Sequence, residues 1–285
     1  MSHGGSGSTA PVGVFDSGVG GLSVWREIAR QLPHENLIYF ADQAHLPYGP
    51  LPPETVRGHA EAITRFLLEQ GCKAIVLACN TASAAALRSL RTTFPNISFI
   101  GMEPAVKPAA QRTRSRVVGV MATPGTLQGK MFADAVERFA SGVTLINQPC
   151  PGLVEQIERG RLDTPDTETL LRELLKPIVS AGADTLVLAC THYPFVRPMI
   201  RRLLGPGVDV IDPAPAVALQ LQRVLLEHGI AATSTAETSH QFLSSGDPEC
   251  FREQTIRLLD QTVTSAKFRA CEWEGDGLAF SSRTS

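Results

Sequence analysis

Short apolar segments alternate with longer amphipathic stretches along almost the whole chain. Val12–Phe15 and Leu37–Phe40 have the length and composition of buried strands, and Leu22–Gln31 between them has the spacing of an amphipathic helix. A second helix is expected to begin at Pro53 and to precede the uninterrupted apolar strand Ala74–Ala78. These apolar runs do not alternate with polar residues, which is typical of parallel strands covered on both faces. The pattern therefore predicts an α/β fold with doubly wound parallel sheets.

The second half of the pattern repeats the first. VGVFD (12–16) corresponds to VGVMA (118–122), and AIVLAC (74–79) corresponds to TLVLAC (185–190), at offsets of 106 and 111 residues. An offset this long indicates two whole α/β domains related by pseudo-twofold duplication, with a cleft between them for the active site. A strand at VDVI (208–211) and helices near 217–228 and 250–259 are expected to follow and to complete the first domain. The predicted division is a first domain of residues 11–102 and 211–270, a second domain of residues 103–210, and flexible tails at 1–10 and 275–285.

Composition narrows the function classes. The formal net charge is −2, so no electrostatic attraction to nucleic acid or to an anionic membrane is expected. No apolar run approaches the length of a transmembrane helix, and the start MSHGGSGSTA lacks the features of a secretory signal. Six cysteines in 285 residues are too sparse for a disulfide framework and have no zinc-site spacing. We therefore expect a cytoplasmic globular protein with free thiols and no metal site.

Two of the cysteines occupy equivalent places. Cys79 and Cys190 each follow the residues VLA at the predicted end of a strand and each precede a polar loop. Ligands of open parallel sheets bind at the carboxyl ends of strands, where helix N-termini lower thiol pKa values and hold carboxylates. A single buried cysteine is usually a small apolar residue, and Cys72, Cys250 and Cys271 are assigned that role. The duplicated placement instead favours a chemical role for Cys79 and Cys190.

Polar residues adjoin both thiols. Asn80 and Thr81 follow Cys79, while Thr191 and His192 follow Cys190, and these groups could hold the carboxylate and ammonium of an amino acid. Asp16, at the end of the first strand, is a candidate acid beside one thiol, and His192 is its counterpart beside the other.

The glycine-rich segment after the first strand admits a second interpretation. Its sequence is DSGVGG (16–21) rather than GxGxxG, and no GxxxxGK[ST] motif occurs, so nucleotide binding is disfavoured. The glycines are instead expected to permit close backbone approach at a small-ligand site.

Six collinear motifs resemble the aspartate/glutamate racemase family, and together they are most similar to those of its glutamate-specific branch in the bacterial cell-wall pathway. The motifs are GVFDSGVGGLSV (13–24), LPYGP (46–50), VLACNTAS (76–83), EPAVKPA (103–109), GVMATPGT (119–126) and LVLACTHYPF (186–195). The chain departs from the usual family pattern at ADQAHLPYG (41–49) and has Glu155 where proline is common.

The resemblance implies a set of site residues. Substrate contacts are expected from Asp16, Ser17, Tyr48, Gly49, Asn80, Thr81, Thr123, Thr126, Thr191 and His192. Glu158 matches an acidic residue near the second thiol. The catalytic set implied is Cys79 and Cys190, with Asp16, His192 and Glu158 tuning the thiols or relaying protons.

The implied reaction is a racemisation of glutamate without a cofactor. One thiolate removes the Cα proton while the other thiol protonates the opposite face, with Cys79 acting on the D-enantiomer and Cys190 on the L-enantiomer. The product would be D-glutamate for peptidoglycan synthesis, and the expected assembly is a homodimer. Two alternatives stay open: an aspartate racemase of the same build, and a bilobal amino-acid-binding protein without catalysis.

Overall fold

The computed structural model describes residues 8–233, 238–259, 263 and 266–281, and strands alternate with helices through most of that length. The first half contains β1 (Val12–Asp16), α1 (Leu22–Gln31), β2 (Leu37–Ala41), α2 (Pro53–Glu69), β3 (Ala74–Leu77), α3 (Asn80–Thr93), β4 (Ser98–Gly101) and α4 (Val106–Arg112).

The remaining elements continue the alternation. They are β5 (Val117–Ala122), α5 (Pro124–Gln128), α6 (Lys130–Phe139), β6 (Thr144–Pro149), α7 (Leu153–Glu158), α8 (Pro165–Ser180), β7 (Thr185–Ala189), α9 (Arg197–Leu204), β8 (Asp209–Ile211), α10 (Ala214–Glu227), β9 (His240–Ser244), α11 (Pro248–Leu258), β10 (Lys267–Glu274) and β11 (Gly277–Phe280). Short 3₁₀ turns lie at Gln43–His45 and Tyr193–Val196.

Two sheets carry the predicted duplication. The larger sheet has the order β11-β10-β9-β2-β1-β3-β4, and the smaller has the order β6-β5-β7-β8. The core β2-β1-β3-β4 is therefore matched strand for strand by β6-β5-β7-β8, and all of these pairings are parallel. The predicted α/β class and its repeat are confirmed. We call the larger sheet with its helices the first lobe and the smaller sheet with its helices the second lobe.

Both faces of each sheet are covered, which explains the unbroken apolar runs. Strands β1, β2, β3 and β7 are buried at every position. Side chains on one face of the larger sheet pack with α1 and α10, and those on the other face pack with α2 and α3. The smaller sheet has its own pair of cores in the same arrangement. This double covering is the condition under which parallel strands are stable.

The C-terminal end differs from its predicted description. The tail expected from 275 contains β11, which pairs antiparallel with β10 across the turn at Gly275. Phe280 packs edge-on against Phe66 of α2. The Arg269 guanidinium lies over the Phe280 ring, 3.4 Å from its centroid. The hairpin was not predicted because this segment is rich in small polar residues. The Phe280 side chain anchors it to the first lobe. The parts of the predicted tails at 1–7 and 282–285 lie outside the described residues.

The division into two domains remains a prediction. The assignment of the strands to the two sheets supports it. The larger sheet takes its strands from 12–101 and 240–280, and the smaller sheet takes its strands from 117–211. Helix α10 packs on α1 and β4, and so returns the chain to the first lobe. No helix in the described part of the chain is long and apolar enough to cross a membrane.

Candidate active site between the lobes

The two predicted thiols lie at equivalent strand ends and line one small pocket. Cys79 follows β3 and caps the N-terminus of α3, where the Ala82 N–H lies 3.5 Å from its sulfur. Cys190 follows β7 but precedes a 3₁₀ turn, so the helix N-terminus expected at this second position is absent. Both cysteines are buried at about one-twentieth exposure. Two sulfurs from different lobes therefore line the same pocket.

The pocket gathers nearly all of the predicted residues. Its described lining consists of Asp16, Ser17, Pro47, Tyr48, Gly49, Cys79, Asn80, Thr81, Thr123, Val154, Cys190, Thr191 and His192. Thr126 lies one step back, with its hydroxyl 3.0 Å from that of Thr123, and Glu158 lies behind His192. Pro47 and Val154 were not predicted. Pro47 lies in the motif LPYGP (46–50), in which only Tyr48 and Gly49 were expected to contact substrate. Val154 is apolar, so its residue type gives no indication of a role in binding or catalysis.

Asp16 lies beside Cys79 and reaches across to the second lobe. Its carboxylate accepts hydrogen bonds from the Thr191 hydroxyl at 2.8 Å and from the Ser17 hydroxyl at 3.1 Å. Burial raises the pKa of the Asp16 carboxyl, against the opposing influence of His192 and these donors. Burial, together with the Asp16 charge, also raises the pKa of the Cys79 thiol well above its ordinary value. The neutral thiol form of Cys79 is therefore favoured, with a carboxyl group next to it.

His192 is the equivalent group for Cys190, and Glu158 holds it in place. The imidazole Nδ1 lies 3.8 Å from the Cys190 sulfur, and its Nε2 lies 2.6 Å from the Glu158 carboxylate. Burial lowers the pKa of His192, but the Cys190 and Glu158 contacts outweigh burial and raise it well above its ordinary value. The imidazolium form of His192 is therefore favoured, and it can deliver a proton to the Cys190 sulfur. The predicted placement of Glu158 near the second thiol is indirect, since it contacts the histidine.

The glycines of the first strand turn have a different role from the one predicted. A side chain at Gly18 would collide with the Glu158 carboxylate, and one at Gly20 would collide with the His192 imidazole. Gly21 is crowded by Asp16 and Tyr39 in the same way. Gly18 and Gly20 therefore make room for side chains of the second lobe, and Gly21 makes room for side chains of the first. The backbone here also contributes directly, because the Val19 N–H donates to Glu158 Oε1 at 2.8 Å.

Asn80 has an amide that protein groups do not satisfy. It is buried in the pocket lining, and neither its oxygen nor its nitrogen has a hydrogen-bond partner among the described residues. An unpaired buried polar group costs about 1–3 kcal/mol, and a ligand that hydrogen-bonds to the Asn80 amide would remove that cost. The Thr81 and Thr123 hydroxyls, 2.9 Å apart, bring a polar group from each lobe to the same wall. The N-terminus of α3 adds partial positive charge beside them, which favours a carboxylate.

Comparison with known proteins places the chain in a family. A model described as Asp/Glu/Hydantoin racemase matches residues 12–221. A curated glutamate racemase of Ectopseudomonas mendocina is 55% identical over 240 residues, which are 84% of this chain and 91% of that protein. A crystal structure of a glutamate racemase from Bacillus anthracis has a TM-score of 0.84 at 33% identity, covering 94% of this chain and 98% of that one.

The chain belongs to the Asp/Glu/hydantoin racemase family, and its class is therefore that of the amino-acid racemases, which are isomerases. Another relative points to the same branch of the family. A glutamate racemase of Roseiflexus is 51% identical over 252 residues, which are 88% of this chain and 93% of that protein.

Replacing Gly20 with alanine tests the packing of the two lobes at the site. The added methyl group would collide with His192 and displace it from Cys190. Because a shift of about 1 Å in a catalytic group can cost 10²-fold in rate, we expect racemase activity to fall by about 10²-fold. Gly58→Ala is the matched control, since a side chain there meets no neighbour within 4 Å. Wild-type activity in Gly20→Ala would contradict this assignment of the glycine.

Replacing Glu158 with glutamine tests the charge state of His192. The variant keeps the side-chain shape but removes the carboxylate charge, so the pKa of the imidazole should fall toward its ordinary value. The titration is followed by NMR of the imidazole resonances, with the exposed His34 as an internal reference. An unchanged His192 titration would show that Glu158 does not hold the proton on this ring.

Proposed function

We propose that this protein is a glutamate racemase that interconverts L- and D-glutamate by proton transfer between Cα and the thiols of Cys79 and Cys190. The observation that carries the proposal is the convergence of the two sulfurs on one pocket, each with its own proton partner. Removing a Cα proton and replacing it from the opposite face requires two acid–base groups on opposite sides of the carbon. A binding protein without catalysis has no need of a thiol at both strand ends.

Glutamate is favoured over aspartate by the relatives. Curated proteins 51–55% identical to this chain over most of its length are glutamate racemases. A solved glutamate racemase of Francisella tularensis, 30% identical with a TM-score of 0.79, contains D-glutamate. An aspartate racemase of the same build remains the enzymatic alternative, because it would use the same pair of thiols.

The proton partners suggest a path for each direction. With D-glutamate bound, Asp16 accepts the proton of Cys79, and the resulting thiolate removes the Cα proton. The Cys190 thiol protonates the opposite face of the carbanion, and the His192 imidazolium returns a proton to that sulfur. The same groups act in reverse order on L-glutamate. Positioned proton-transfer groups of this kind contribute about 10²–10⁴-fold to a rate.

The carbanion needs stabilisation from the pocket itself. The unpaired Asn80 amide, the Thr81 and Thr123 hydroxyls and the N-terminus of α3 are fixed donors for the substrate carboxylates. Preorganised donors in a water-poor site stabilise developing charge more strongly than water does. The described lining contains no lysine, the residue to which pyridoxal phosphate attaches. This lining supports proton transfer by the protein's own side chains.

The setting of the enzyme completes the proposal. All six cysteines are free in the described chain, which suits a reducing cytoplasm. The product would supply D-glutamate for peptidoglycan.

A homodimer is the proposed assembly, and the exposed Leu219 and Leu226 on α10 are apolar side chains that an interface could cover. A monomer in sedimentation equilibrium would exclude that assembly.

Cys79→Ser and Cys190→Ser test the proposed reaction. Because a hydroxyl is a far weaker acid than a thiol, each variant should lose at least about 10²-fold in glutamate racemisation in both directions. Circular dichroism measures the rate from either enantiomer, and parallel assays with L- and D-aspartate decide the substrate.

Cys250→Ser is the control, since this cysteine is exposed on α11 and is not among the residues that line the pocket. It should retain the wild-type rate. If either pocket variant folds and racemises glutamate as fast as wild type, the two-thiol reaction is excluded. Faster turnover of aspartate than of glutamate by the wild-type protein would instead favour the aspartate alternative.

A further inference from the structure

Asp42 is a buried carboxylate that collects hydrogen bonds from three parts of the first lobe. It directly follows β2 and is fully buried. Its oxygens accept from the Tyr48 hydroxyl at 2.6 Å, the Ser245 hydroxyl at 2.7 Å and the Trp273 indole N–H at 2.8 Å. The His45 ring completes the set at 3.0 Å. We call Asp42 with these four side chains the Asp42 hub.

The hub holds one wall of the substrate pocket. Tyr48 and its neighbours Pro47 and Gly49 line the pocket directly, and Tyr48 is almost fully buried. Because the Tyr48 hydroxyl donates to Asp42, the orientation of its ring depends on where that carboxylate is fixed. Burial and the Asp42 charge raise the pKa of Tyr48, so the phenol keeps its proton and remains a donor.

Two members of the hub come from the C-terminal extension of the larger sheet. Ser245 follows β9 and Trp273 lies on β10, the two strands that extend the larger sheet beyond β2. Among the described residues, the smaller sheet has no counterpart of these strands. The extension thus lies outside the duplicated core, yet it touches Asp42, which contacts the pocket-lining Tyr48.

We propose that Trp273 is a positioning residue for residues 47–49, which line the pocket, and that it acts through Asp42 on Tyr48. Its indole N–H and the Ser245 hydroxyl both donate to Oδ1 of Asp42, while Oδ2 receives the tyrosine. The C-terminal extension therefore fixes Oδ1 of Asp42, and Oδ2 of the same carboxylate fixes Tyr48 in the wall of the pocket. This inference rests on the proposed function, since it concerns the binding of that same substrate.

The geometry favours a hydrogen-bonding role over a metal site. Ligand atoms of Asp42, His45 and His59 lie within 4.8 Å of one another, a separation at which a cation could be bound. The two imidazole rings, however, are stacked at 3.9 Å with an interplanar angle of 17°. Nitrogen lone pairs lie in the ring planes, so those of two stacked rings do not converge on one ion. Both Asp42 oxygens are also already occupied by donors.

The chain supplies a matched control for Trp273. It contains two tryptophans, and the other, Trp25, has a buried indole N–H with no hydrogen-bond partner among the described residues. Trp25→Phe and Trp273→Phe therefore make the same chemical change, the first in a buried aromatic cluster and the second in a half-buried one. Only the second change removes a hydrogen bond of the hub.

The kinetic test compares the two variants with wild type. Losing one hydrogen bond to the charged hub should raise the KM for glutamate about tenfold in Trp273→Phe, with kcat changed less than about twofold. Trp25→Phe should keep the wild-type KM. Ser245→Ala removes the second donor to the same oxygen and should also raise KM. Equal KM values in Trp273→Phe and Trp25→Phe would overturn the proposal.

A spectroscopic test does not require Trp273→Phe to fold. In Trp25→Phe the only tryptophan is Trp273, so its emission reports on the hub directly. Titration with D-glutamate should change that emission, and adding Tyr48→Phe should abolish the change. If the Trp273 emission does not change on addition of D-glutamate although the protein racemises it, the proposed coupling between Trp273 and the pocket is refuted. Absence of glutamate racemisation in the wild type would instead refute the proposed function.

Discussion

Two buried carboxylates, Asp16 and Glu158, each depend on a hydrogen-bond donor from the opposite lobe. Asp16 of the first lobe accepts from the Thr191 hydroxyl of the second, and Glu158 of the second lobe accepts from the Val19 N–H of the first. Taking a carboxylate out of water costs several kcal/mol unless donors replace the lost solvent. Neither lobe alone supplies all of these donors, so the charged groups of the site are satisfied only when the lobes lie together. The same contacts bring the two thiols to one pocket.

This mutual dependence explains the shape of the strand turn between β1 and α1. Glu158 and His192 approach the backbone so closely that only glycine fits at Gly18 and Gly20. The approach lets Glu158 bond to His192 and to the Val19 N–H through the same oxygen. The Val19 N–H of the first lobe therefore helps to hold Glu158 against His192 in the second.

The two halves of the site are related by duplication but differ in their chemistry. Cys79 caps a helix and has a carboxyl partner, whereas Cys190 precedes a 3₁₀ turn and has an imidazolium partner. One partner is suited to accept a proton and the other to release one. The duplicated strands supply matching positions for the sulfurs, and divergence of the adjoining residues supplies two different proton partners.

The sequence was sufficient to predict the parallel sheets, the duplication, and the placement of Cys79 and Cys190 at strand ends. These features follow from apolar runs and their repeat, which are local properties of the chain. Gly20, Val154 and Trp273 could not be assigned in the same way, because each acts through a contact with a residue distant in the chain. The strand β11 was missed for a related reason, since Phe280 packs on Phe66, which lies more than 200 residues earlier in the chain.

The central claim is that a different thiol serves each face of the substrate, and the fate of the Cα proton tests it most directly. Glutamate of one enantiomer is incubated with the wild-type protein in D₂O, and Cα deuterium is measured in substrate and product at low conversion. The account predicts deuterium at Cα of nearly every product molecule and almost none in the remaining substrate, because the donor thiol carries a solvent proton. Product that retains the original Cα hydrogen would contradict the account, since it would mean that one group both removes and returns the proton.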